Sequence, residues 1–582
     1  MAAQLSKDAG IAYRYGPDAP SYGTANSGPS LTKRPDTQLT APAQNVPFFW
    51  SVGGPVSGNA GLFSTNQANM LFAADDTSKR VGVSLLQVSG YMYNVFAQMP
   101  QLPWQIYQAG QGIDSPNVMN YKAAGVASGD PVAIGRCSGR SGFCAEGVVA
   151  FQNGVLGTVG SNTASNNATT QLAANKVPTG VAVTNGNEFA LVTVWDTVAL
   201  KGQVAVVALA GLCDGCDAMN SSAHTSNGVS YSAWHNWWND WIGVYPGLPN
   251  MGNTAFMKVL GYVDIPGMTA PTEIAVTTGL DPFSSVLPGG IFMGAPNSPL
   301  ASNWQSFASG GGNYGRYAKG GVAVVVSKSE QKAAFIDLKP LFSYINSVYF
   351  SSNVGVTSNY GQGADQWPYT FDKVSSQMPT VIKTVSLGNR PTAVKTTLFG
   401  SSPRAWIATQ DGTLHIYSLD GYAPGASVST GSASAIAEVG TVGGIGRNPT
   451  SLATSKGEPS GWSGEPLNQQ VIVGSRGDNK ISWVRFGSGG NSGSVVRTIQ
   501  HNQLTDLIAV EDADNFANAN NLVSVTDYGG KAVRNYRYGP VIFSDGGACP
   551  QPSGCPTSGA AEYGGGMTVP GKPFQITTSN VP

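Results

Sequence analysis

The chain has 582 residues, of which only 11% are charged, and its 32 Lys and Arg residues nearly balance 33 Asp and Glu residues to give a formal net charge of −1. This composition lacks the basic footprint of a nucleic-acid-binding protein, and no run of about 18 apolar residues is present to form a transmembrane helix. We therefore expect neither a nucleic-acid partner nor a membrane span. Globular proteins usually contain about 25% charged residues, and a weakly charged surface with a net charge near zero favours association.

Residues 1–44 are rich in Pro, Ser, Thr, Gly and Ala and show almost no apolar periodicity. A segment that cannot bury enough apolar surface does not fold alone. We predict an extended N-terminal arm, either a free tail or an arm that packs on a neighbouring subunit.

Residues 45–545 repeat a pattern of two β-rich runs joined by a turn. The clearest copies span residues 70–85, 189–208, 322–337, 405–417, 471–484 and 522–536. Four Pro-Thr pairs precede further alternating runs, namely Pro178-Thr179, Pro271-Thr272, Pro391-Thr392 and Pro449-Thr450. Proline is tolerated at the first residue of a strand. With the extended run before each Pro-Thr pair, one unit holds four short strands, which is a propeller blade.

The repeats therefore predict an all-β fold with a single β-propeller. We count seven four-stranded blades, with starts near residues 60, 118, 178, 271, 391, 449 and 505, and six or eight blades are the alternatives. The segments 178–183 and 384–394 resemble the repeats of YVTN/YncE-like seven-bladed propellers, a WD40-like superfamily. The resemblance covers roughly residues 60–545 and implies the fold, but not an activity, because propellers carry many functions.

Three long insertions interrupt the repeats, at about residues 211–257, 280–319 and 351–378. The first contains Trp234, Trp237, Trp238 and Trp241, whose spacing places four indoles on one helical face. These indoles form a small core over the blade edge, a protein–protein anchor or a sugar-stacking surface. The other two insertions are rich in aromatic residues, and we expect them to be contact surfaces.

The six cysteines form three local pairs, Cys137 with Cys144, Cys213 with Cys216, and Cys549 with Cys555. Local pairs in loops predict disulfides and an oxidising compartment. The alternative for the second pair is a zinc site with His224 and His235 as further ligands. We expect an extracellular or cell-surface protein, although residues 1–5 lack the apolar core of a signal peptide, so no signal peptide is visible in the chain.

An acidic segment supplies a separate set of candidate metal ligands, Asp512, Asp514 and Asn515. Oxygen ligands at nearly alternate positions suit Ca²⁺, and the alternative is a solvated acidic turn. We predict no other cofactor.

Residues 546–582 resemble the N-terminal segment in composition, and we predict an extended C-terminal arm with a cysteine loop. Phe574 and Ile576 alternate with polar residues there, as in a strand donated to a neighbouring subunit.

We predict that the protein is not an enzyme, because the sequence has no nucleophile elbow, Walker loop or dinucleotide fingerprint. The leading interpretation is an extracytoplasmic structural protein, a propeller that self-assembles with copies of itself into a filament, sheath or surface layer through its arms and aromatic loops. One alternative is a secreted module that binds surface glycans or a cell-surface protein. Another is a propeller hydrolase or lactonase, which needs carboxylates and a metal in the central channel, where the strand residues are mostly Ala, Val and Thr.

Overall fold

The computed structural model describes a set of segments that are mostly strands and the turns between them. These are residues 68–75, 80–87, 93–95, 97–99, 107–109, 131–136, 146–160, 169–211, 225–226, 229–230, 246–249, 254–280, 304–350, 361–397, 402–454, 470–512, 522–537, 562–568 and 572–579. Within these segments, no helix is long and apolar enough to cross a membrane.

The strands are short and follow one another along the whole described chain. The first nine are β1 (Ala68–Asp75), β2 (Arg80–Gln87), β3 (Tyr93–Val95), β4 (Ala97–Met99), β5 (Tyr107–Ala109), β6 (Pro131–Arg136), β7 (Glu146–Phe151), β8 (Val155–Gly160) and β9 (Thr169–Gln171). The next ten are β10 (Lys176–Val183), β11 (Phe189–Asp196), β12 (Lys201–Gly211), β13 (Thr225–Ser226), β14 (Val229–Ser230), β15 (Thr254–Asp264), β16 (Glu273–Thr277), β17 (Val322–Ser327), β18 (Lys332–Asp337) and β19 (Thr380–Ser386). The remaining strands are β20 (Pro391–Thr396), β21 (Arg404–Thr409), β22 (Leu414–Ser418), β23 (Glu438–Val442), β24 (Pro449–Thr454), β25 (Gln470–Ser475), β26 (Lys480–Phe486), β27 (Gly493–Gln500), β28 (Leu507–Asp512), β29 (Leu522–Asp527), β30 (Ala532–Arg537), β31 (Glu562–Thr568) and β32 (Lys572–Ser579).

Two α-helices lie within the fourth repeat, α1 (Trp304–Phe307) and α2 (Lys339–Tyr349). The carboxylate of Asp337 accepts a hydrogen bond of 2.8 Å from the backbone N–H of Lys339 and so satisfies one of the free donors at the start of α2. One face of α2 is buried through Leu341, Phe342 and Ile345. Single 3₁₀ turns span Tyr314–Arg316, Ser375–Gln377, Ala433–Ala435, Arg476–Asp478 and Ser488–Gly490.

The strands form four-stranded antiparallel sheets arranged as a ring. From the innermost strand outwards the sheets are β32-β1-β2-β4, β6-β7-β8-β9, β10-β11-β12-β15, β16-β17-β18-β19, β20-β21-β22-β23, β24-β25-β26-β27 and β28-β29-β30-β31, here called the first to seventh sheets. Each innermost strand contacts the innermost strand of the next sheet, and β28 contacts β32, which contacts β6. The predicted all-β propeller is therefore confirmed. The blade count of the whole chain stays a prediction, because only the described segments are counted.

The ring is closed by the end of the chain, and this corrects the predicted C-terminal arm. Strand β32 is the innermost strand of the first sheet and pairs with β1, with Ile576 opposite Leu71. Strand β31 completes the seventh sheet beside β30. Residues 562–568 and 572–579 thus belong to the propeller and not to an arm. The physical reason is that a closed ring leaves no unpaired sheet edge at the junction of its two ends.

The Pro-Thr signature has a structural cause. The pairing of the two inner strands shifts by one residue directly after the proline, between Pro178 and Gly180 and between Pro449 and Ser451, so the intervening Thr is bulged. The hydroxyl of Thr179 donates to the carbonyl of Pro271 at 2.8 Å. This bond, like that of Thr450 to Ile508, links neighbouring sheets. The hydroxyls of Thr272 and Thr392 instead donate to the second strand of their own sheet. The same shift follows Pro131 and Pro391 in their sheets, and the Pro573-Phe574 step lies at the corresponding shift in β32.

Each sheet of the ring packs on a neighbouring sheet at both of its faces. This explains why the second strand of a sheet, counted from the channel, is a continuous apolar run. All six residues of β17 are buried. Val324 of the fourth sheet and Ile407 of the fifth belong to one apolar cluster between these two sheets. Strands buried on both faces lack the alternation of apolar and polar residues that a one-sided sheet shows. Each apolar core therefore lies between adjacent sheets, around a central channel.

The two ends of the ring differ. In an antiparallel sheet the first-to-second and third-to-fourth strand connections lie at one end, here called the insertion end, and the second-to-third connections lie at the other, the hairpin end. The connection of β12 to β15 and that of β18 to β19 are third-to-fourth connections, and that of β16 to β17 is a first-to-second connection. These three connections hold the three predicted insertions. All three insertions therefore start and finish at the insertion end.

Candidate functional site

Aromatic residues of the second and third insertions pack on the aromatic residues at the end of α2, over the insertion end. The rings of Phe307 and Phe350 stack with 4.9 Å between centroids, and the Trp367 ring meets the Tyr349 ring edge-on at 5.5 Å. They belong to the same apolar cluster as Phe189 of β11. The prediction that these rings form a contact surface is thus wrong for the buried ones. The buried rings are Phe307, Tyr317, Trp367 and Phe371.

Two buried lysines contact the backbone of these insertions, one from within the second insertion and one from β15. The Lys319 ammonium donates to the carbonyl of Tyr317 at 3.2 Å and lies 4.0 Å from the centroid of that ring, a cation–π contact. The Lys258 ammonium donates to the carbonyls of Gly363 and Gln366 at 2.7 and 2.8 Å. Burial lowers the pKa of each lysine to about 8, because the charged form is desolvated. Lys258 of β15 therefore anchors the third insertion to the ring, whereas the contacts of Lys319 lie within the second insertion.

The central channel is the candidate functional site. It is a cavity of about 470 Å³ enclosed by the innermost strands. In each sheet, the residue after the proline of the innermost strand, or after Leu507 in β28, faces the channel. These residues are uncharged: Val132, Thr179, Thr272, Thr392, Thr450, Ile508 and Phe574. Most of the wall is thus Ala, Val and Thr, as expected from the sequence. The exceptions are a small set of charged side chains, namely Glu273, Lys328, Lys395, Arg476 and Glu511.

Glu273 is the only acidic residue among those one position further along each innermost strand. The equivalent residues are Ala133, Gly180, Ala393, Ser451, Ala509 and Gln575. Burial raises the pKa of Glu273 to about 7, while the charges of Lys395 and Lys328 and the N–H of Val394 act in the opposite direction. The residue is half-buried and lines the channel. Glu273 therefore changes its protonation near neutral pH.

The basic residues of the channel differ in how they are paired. The Arg476 guanidinium binds both carboxylate oxygens of Asp506, at 2.6 and 2.8 Å. Lys328, in the turn between β17 and β18, and Lys395, on β20, act on Glu273 through their charges. Among the described residues, neither ammonium group makes a hydrogen bond or an ion pair. The channel wall thus presents two free ammonium groups near one carboxyl group.

The second carboxylate of the channel lies nearer the insertion end. Glu511 is buried and stands two residues further along β28 than Ala509, the counterpart of Glu273. The candidate calcium ligand Asp512 is the last residue of β28, and Asp514 and Asn515 lie outside the described residues. Within the described segments, no three His, Cys, Asp or Glu residues lie close enough to hold a metal ion. The predicted calcium site stays untested.

Phe574 and Ile576 have a different place from the predicted one. Phe574 faces the channel, and Ile576 is buried in β32. Between them, the Gln575 side-chain oxygen accepts a hydrogen bond of 2.9 Å from the backbone N–H of Ile134. Their predicted role as contacts to another copy is therefore wrong, because both side chains serve the ring itself. The sequence contained a usable signal, since Pro573-Phe574-Gln575-Ile576 repeats the Pro-first pattern of the other innermost strands.

The other predicted sites cannot be placed. The N-terminal arm, residues 1–44, lies outside the described residues. So do the four tryptophans and the six cysteines, namely Trp234, Trp237, Trp238, Trp241, Cys137, Cys144, Cys213, Cys216, Cys549 and Cys555.

Comparison with solved structures finds a β-propeller domain among the similar chains. Similar solved structures include a putative 6-phosphogluconolactonase from Bacteroides fragilis, with 8% identity, a TM-score of 0.41 and coverage of 90% of this chain and 99% of that one. They also include the Cps50 (Swd1) β-propeller domain of Myceliophteria thermophila, with 7% identity, a TM-score of 0.37 and coverage of 80% and 95%. Apo AztD from Citrobacter koseri has 9% identity, a TM-score of 0.34 and coverage of 88% and 98%. No protein-family model and no curated protein matches the chain.

The chain is a β-propeller. Its own sheet topology carries this conclusion, and similarity at these identities and TM-scores carries no argument about activity. The function must therefore be argued from the two ends of the ring and from the channel.

Proposed function

We propose that the protein is a non-enzymatic, extracytoplasmic structural subunit that assembles with copies of itself into a filament, sheath or surface layer. In this proposal the ring is a rigid unit, and its insertion end makes contacts with other copies. We also propose that it is a distant member of the YVTN/YncE-like propellers, on the strength of its Pro-first innermost strands.

The one-sided placement of the insertions carries this proposal. Long insertions that begin at one end of a ring give the molecule two different faces. Lys258 anchors the third insertion to β15, and stacked aromatic rings pack the second insertion on Phe350, so the described part of this face is preformed. A rigid face loses less conformational entropy on association than a mobile one. Repetition of one such contact between copies builds a fibre or a lattice.

Composition supports the same proposal. The chain has a net charge of −1 and only 11% charged residues, so long-range repulsion between copies is weak. The three local cysteine pairs suit an oxidising compartment. Both features belong to the sequence, and the location outside the cytoplasm is part of the proposal.

The experiment is negative-stain electron microscopy of the full chain beside light scattering. We expect polymers or sheets, with a scattering mass far above that of the 60.2 kDa monomer. Two exposed apolar residues lie in connections at the insertion end, Val428 and Met378, which are 50% and 38% exposed. The double variant Val428→Glu with Met378→Glu should reduce assembly, because it places charge in an apolar contact.

The matched control is Val496→Glu. Val496 is 43% exposed and lies on β27, the outermost strand of the sixth sheet, on the circumference of the ring. This variant should assemble like the unmodified protein. A uniform 60 kDa monomer for the unmodified chain would refute the proposal. Equal loss of assembly in the double variant and in Val496→Glu would also refute it, because the insertion end would then have no special role.

A second candidate function is a ligand-binding propeller. The observation that favours it is the pair of free ammonium groups in the channel, since an assembly unit needs no charge there. Titration of the full chain with small ligands tests this candidate separately from assembly.

A further inference from the structure

The channel combines unpaired positive charge with a cavity between the innermost strands. Lys328 and Lys395 line it, and neither ammonium group has a hydrogen-bond partner among the described residues. Lys395 is half-buried and Lys328 is exposed, so both ammonium groups are accessible to an ion that enters the channel. The cavity of about 470 Å³ is of the size that holds small molecules. Together these features indicate a site for an anion.

The two lysines come from neighbouring sheets on one side of the channel. Glu273 pairs with Val326 in the fourth sheet, and Lys328 follows this pair at the start of the hairpin turn. Lys395 lies on β20, and the hydroxyl of Thr396 donates to the carbonyl of Val276 on β16 at 3.0 Å, which fixes the two strands side by side. Both ammonium groups therefore act on the same carboxyl group, that of Glu273.

The other charged groups of the channel do not neutralise these lysines. Arg476 is paired with Asp506, so this pair adds no net charge. Glu511 lies nearer the insertion end and is engaged by other contacts. On the far side of β16, the strand β10 presents Gly180 and Thr179, which do not titrate. The charge balance near Glu273 is therefore two positive groups against one carboxyl group.

We propose that the channel binds a small oxyanion, of the carboxylate or phosphate class, with Lys328 and Lys395 as its counter-ions. This site is independent of whether copies of the chain assemble. Glu273 regulates the site by its charge. The ionised carboxylate repels an anion and competes for both lysines, whereas the protonated carboxyl is neutral and can donate a hydrogen bond to it. The pKa of about 7 places this change near neutral pH.

The experiment is isothermal titration calorimetry of the full chain at constant ionic strength. Sulfate is the first probe, because its charge stays the same between about pH 6 and about pH 8 while Glu273 titrates. We expect saturable binding that is about three- to tenfold tighter at the lower pH. Inorganic phosphate and succinate at neutral pH then distinguish a phosphate site from a carboxylate site.

Three variants separate this site from general electrostatic attraction. Lys395→Gln should weaken sulfate binding by about tenfold or more, because it removes a direct counter-ion. Glu273→Gln should bind sulfate with the same affinity at both pH values. The control Lys373→Gln changes an exposed lysine of the third insertion and should bind as the unmodified protein does.

The proposal is overturned if none of the three anions shows saturable binding, or if Lys395→Gln and Lys373→Gln weaken binding equally. It is also overturned if Glu273→Gln keeps the full pH dependence. Circular dichroism and thermal unfolding of each variant identify any loss of folding, and Lys328→Gln then provides a second test of the same counter-ion role. Loss of assembly in electron microscopy would not change these results, so the two proposals fail separately.

Discussion

The indole N–H of Trp367 donates a hydrogen bond of 2.8 Å to the hydroxyl of Tyr349, which itself donates to the carbonyl of Pro246 at 3.0 Å. Trp367 belongs to the third insertion, Tyr349 ends α2, and Pro246 lies in the first insertion. This chain of hydrogen bonds therefore joins parts of two insertions to the helix that covers the ring. Both aromatic side chains are fully buried.

We predict that Trp367→Ala destabilises the protein by about 3–5 kcal/mol, because it leaves a large cavity in this cluster. Trp367→Phe should cost less, about 1–3 kcal/mol, since it removes the hydrogen bond and part of the ring. Denaturant unfolding measures both. The control is Trp195→Phe on β11, where the side chain is partly exposed, and it should stay within about 0.5 kcal/mol.

Removal of the closing strand tests the correction to the C-terminal arm. Deletion of residues 569–582 takes away β32 and leaves β1 as an unpaired edge facing the channel. We expect a loss of more than about 4 kcal/mol or failure to fold, together with aggregation through the exposed edge. Thermal unfolding and light scattering measure the two effects. Deletion of residues 580–582 alone is the control, and equal stability of both truncated chains would show that β32 does not close the ring.

The bulged threonines Thr179 and Thr450 should contribute to stability through their links between sheets. The Thr450 hydroxyl donates to the carbonyl of Ile508 at 2.7 Å. Thr450→Val keeps the shape but leaves this carbonyl without its donor, and we expect a cost of about 1–2 kcal/mol. Thr498→Val on β27 changes an exposed threonine and should be nearly neutral. A neutral Thr450→Val in denaturant unfolding would contradict the inter-sheet role of the signature.

The stability of the ring should depend on pH through Glu273. Its pKa is raised from 4.5 to about 7 in the folded protein, so the folded state holds a proton that the unfolded state releases between these values. Stability from this group is therefore present at low pH and is lost as pH rises through about 7. The loss is at most about 3 kcal/mol, and less where channel water screens the charge.

The measurement is the free energy of unfolding against pH for the unmodified protein and for Glu273→Gln. The variant cannot ionise, so the difference between the two curves isolates this residue. We subtract the unfolding free energy of the unmodified protein from that of the variant at each pH. We expect this difference to be larger at about pH 8 than at about pH 5, because only the unmodified protein loses stability as Glu273 ionises. Parallel curves between these pH values would contradict the assigned pKa.

The sequence by itself determined the class of fold. Pro178-Thr179 and Pro449-Thr450 predict the start of an innermost strand because proline has no N–H to donate and its bulged neighbour needs no partner on the second strand. The apolar run of β17 follows equally from burial of both sheet faces. Such signals are local, since they depend on residues within one or two strands, and they can be recognised without knowing which strands meet.

Only the tertiary structure determines which residues are neighbours in space. The contact of Ile134 with Gln575 joins residues far apart in the chain, and no local pattern specifies it. Glu273 and Lys395 are ordinary charged residues in sequence, and only the neighbouring positions of β16 and β20 bring them to one wall of the channel. The aromatic residues of the insertions were equally ambiguous, because a large ring suits a contact surface and a core alike. Which of the two it forms depends on whether another part of the chain covers it, as the described insertions do for Trp367.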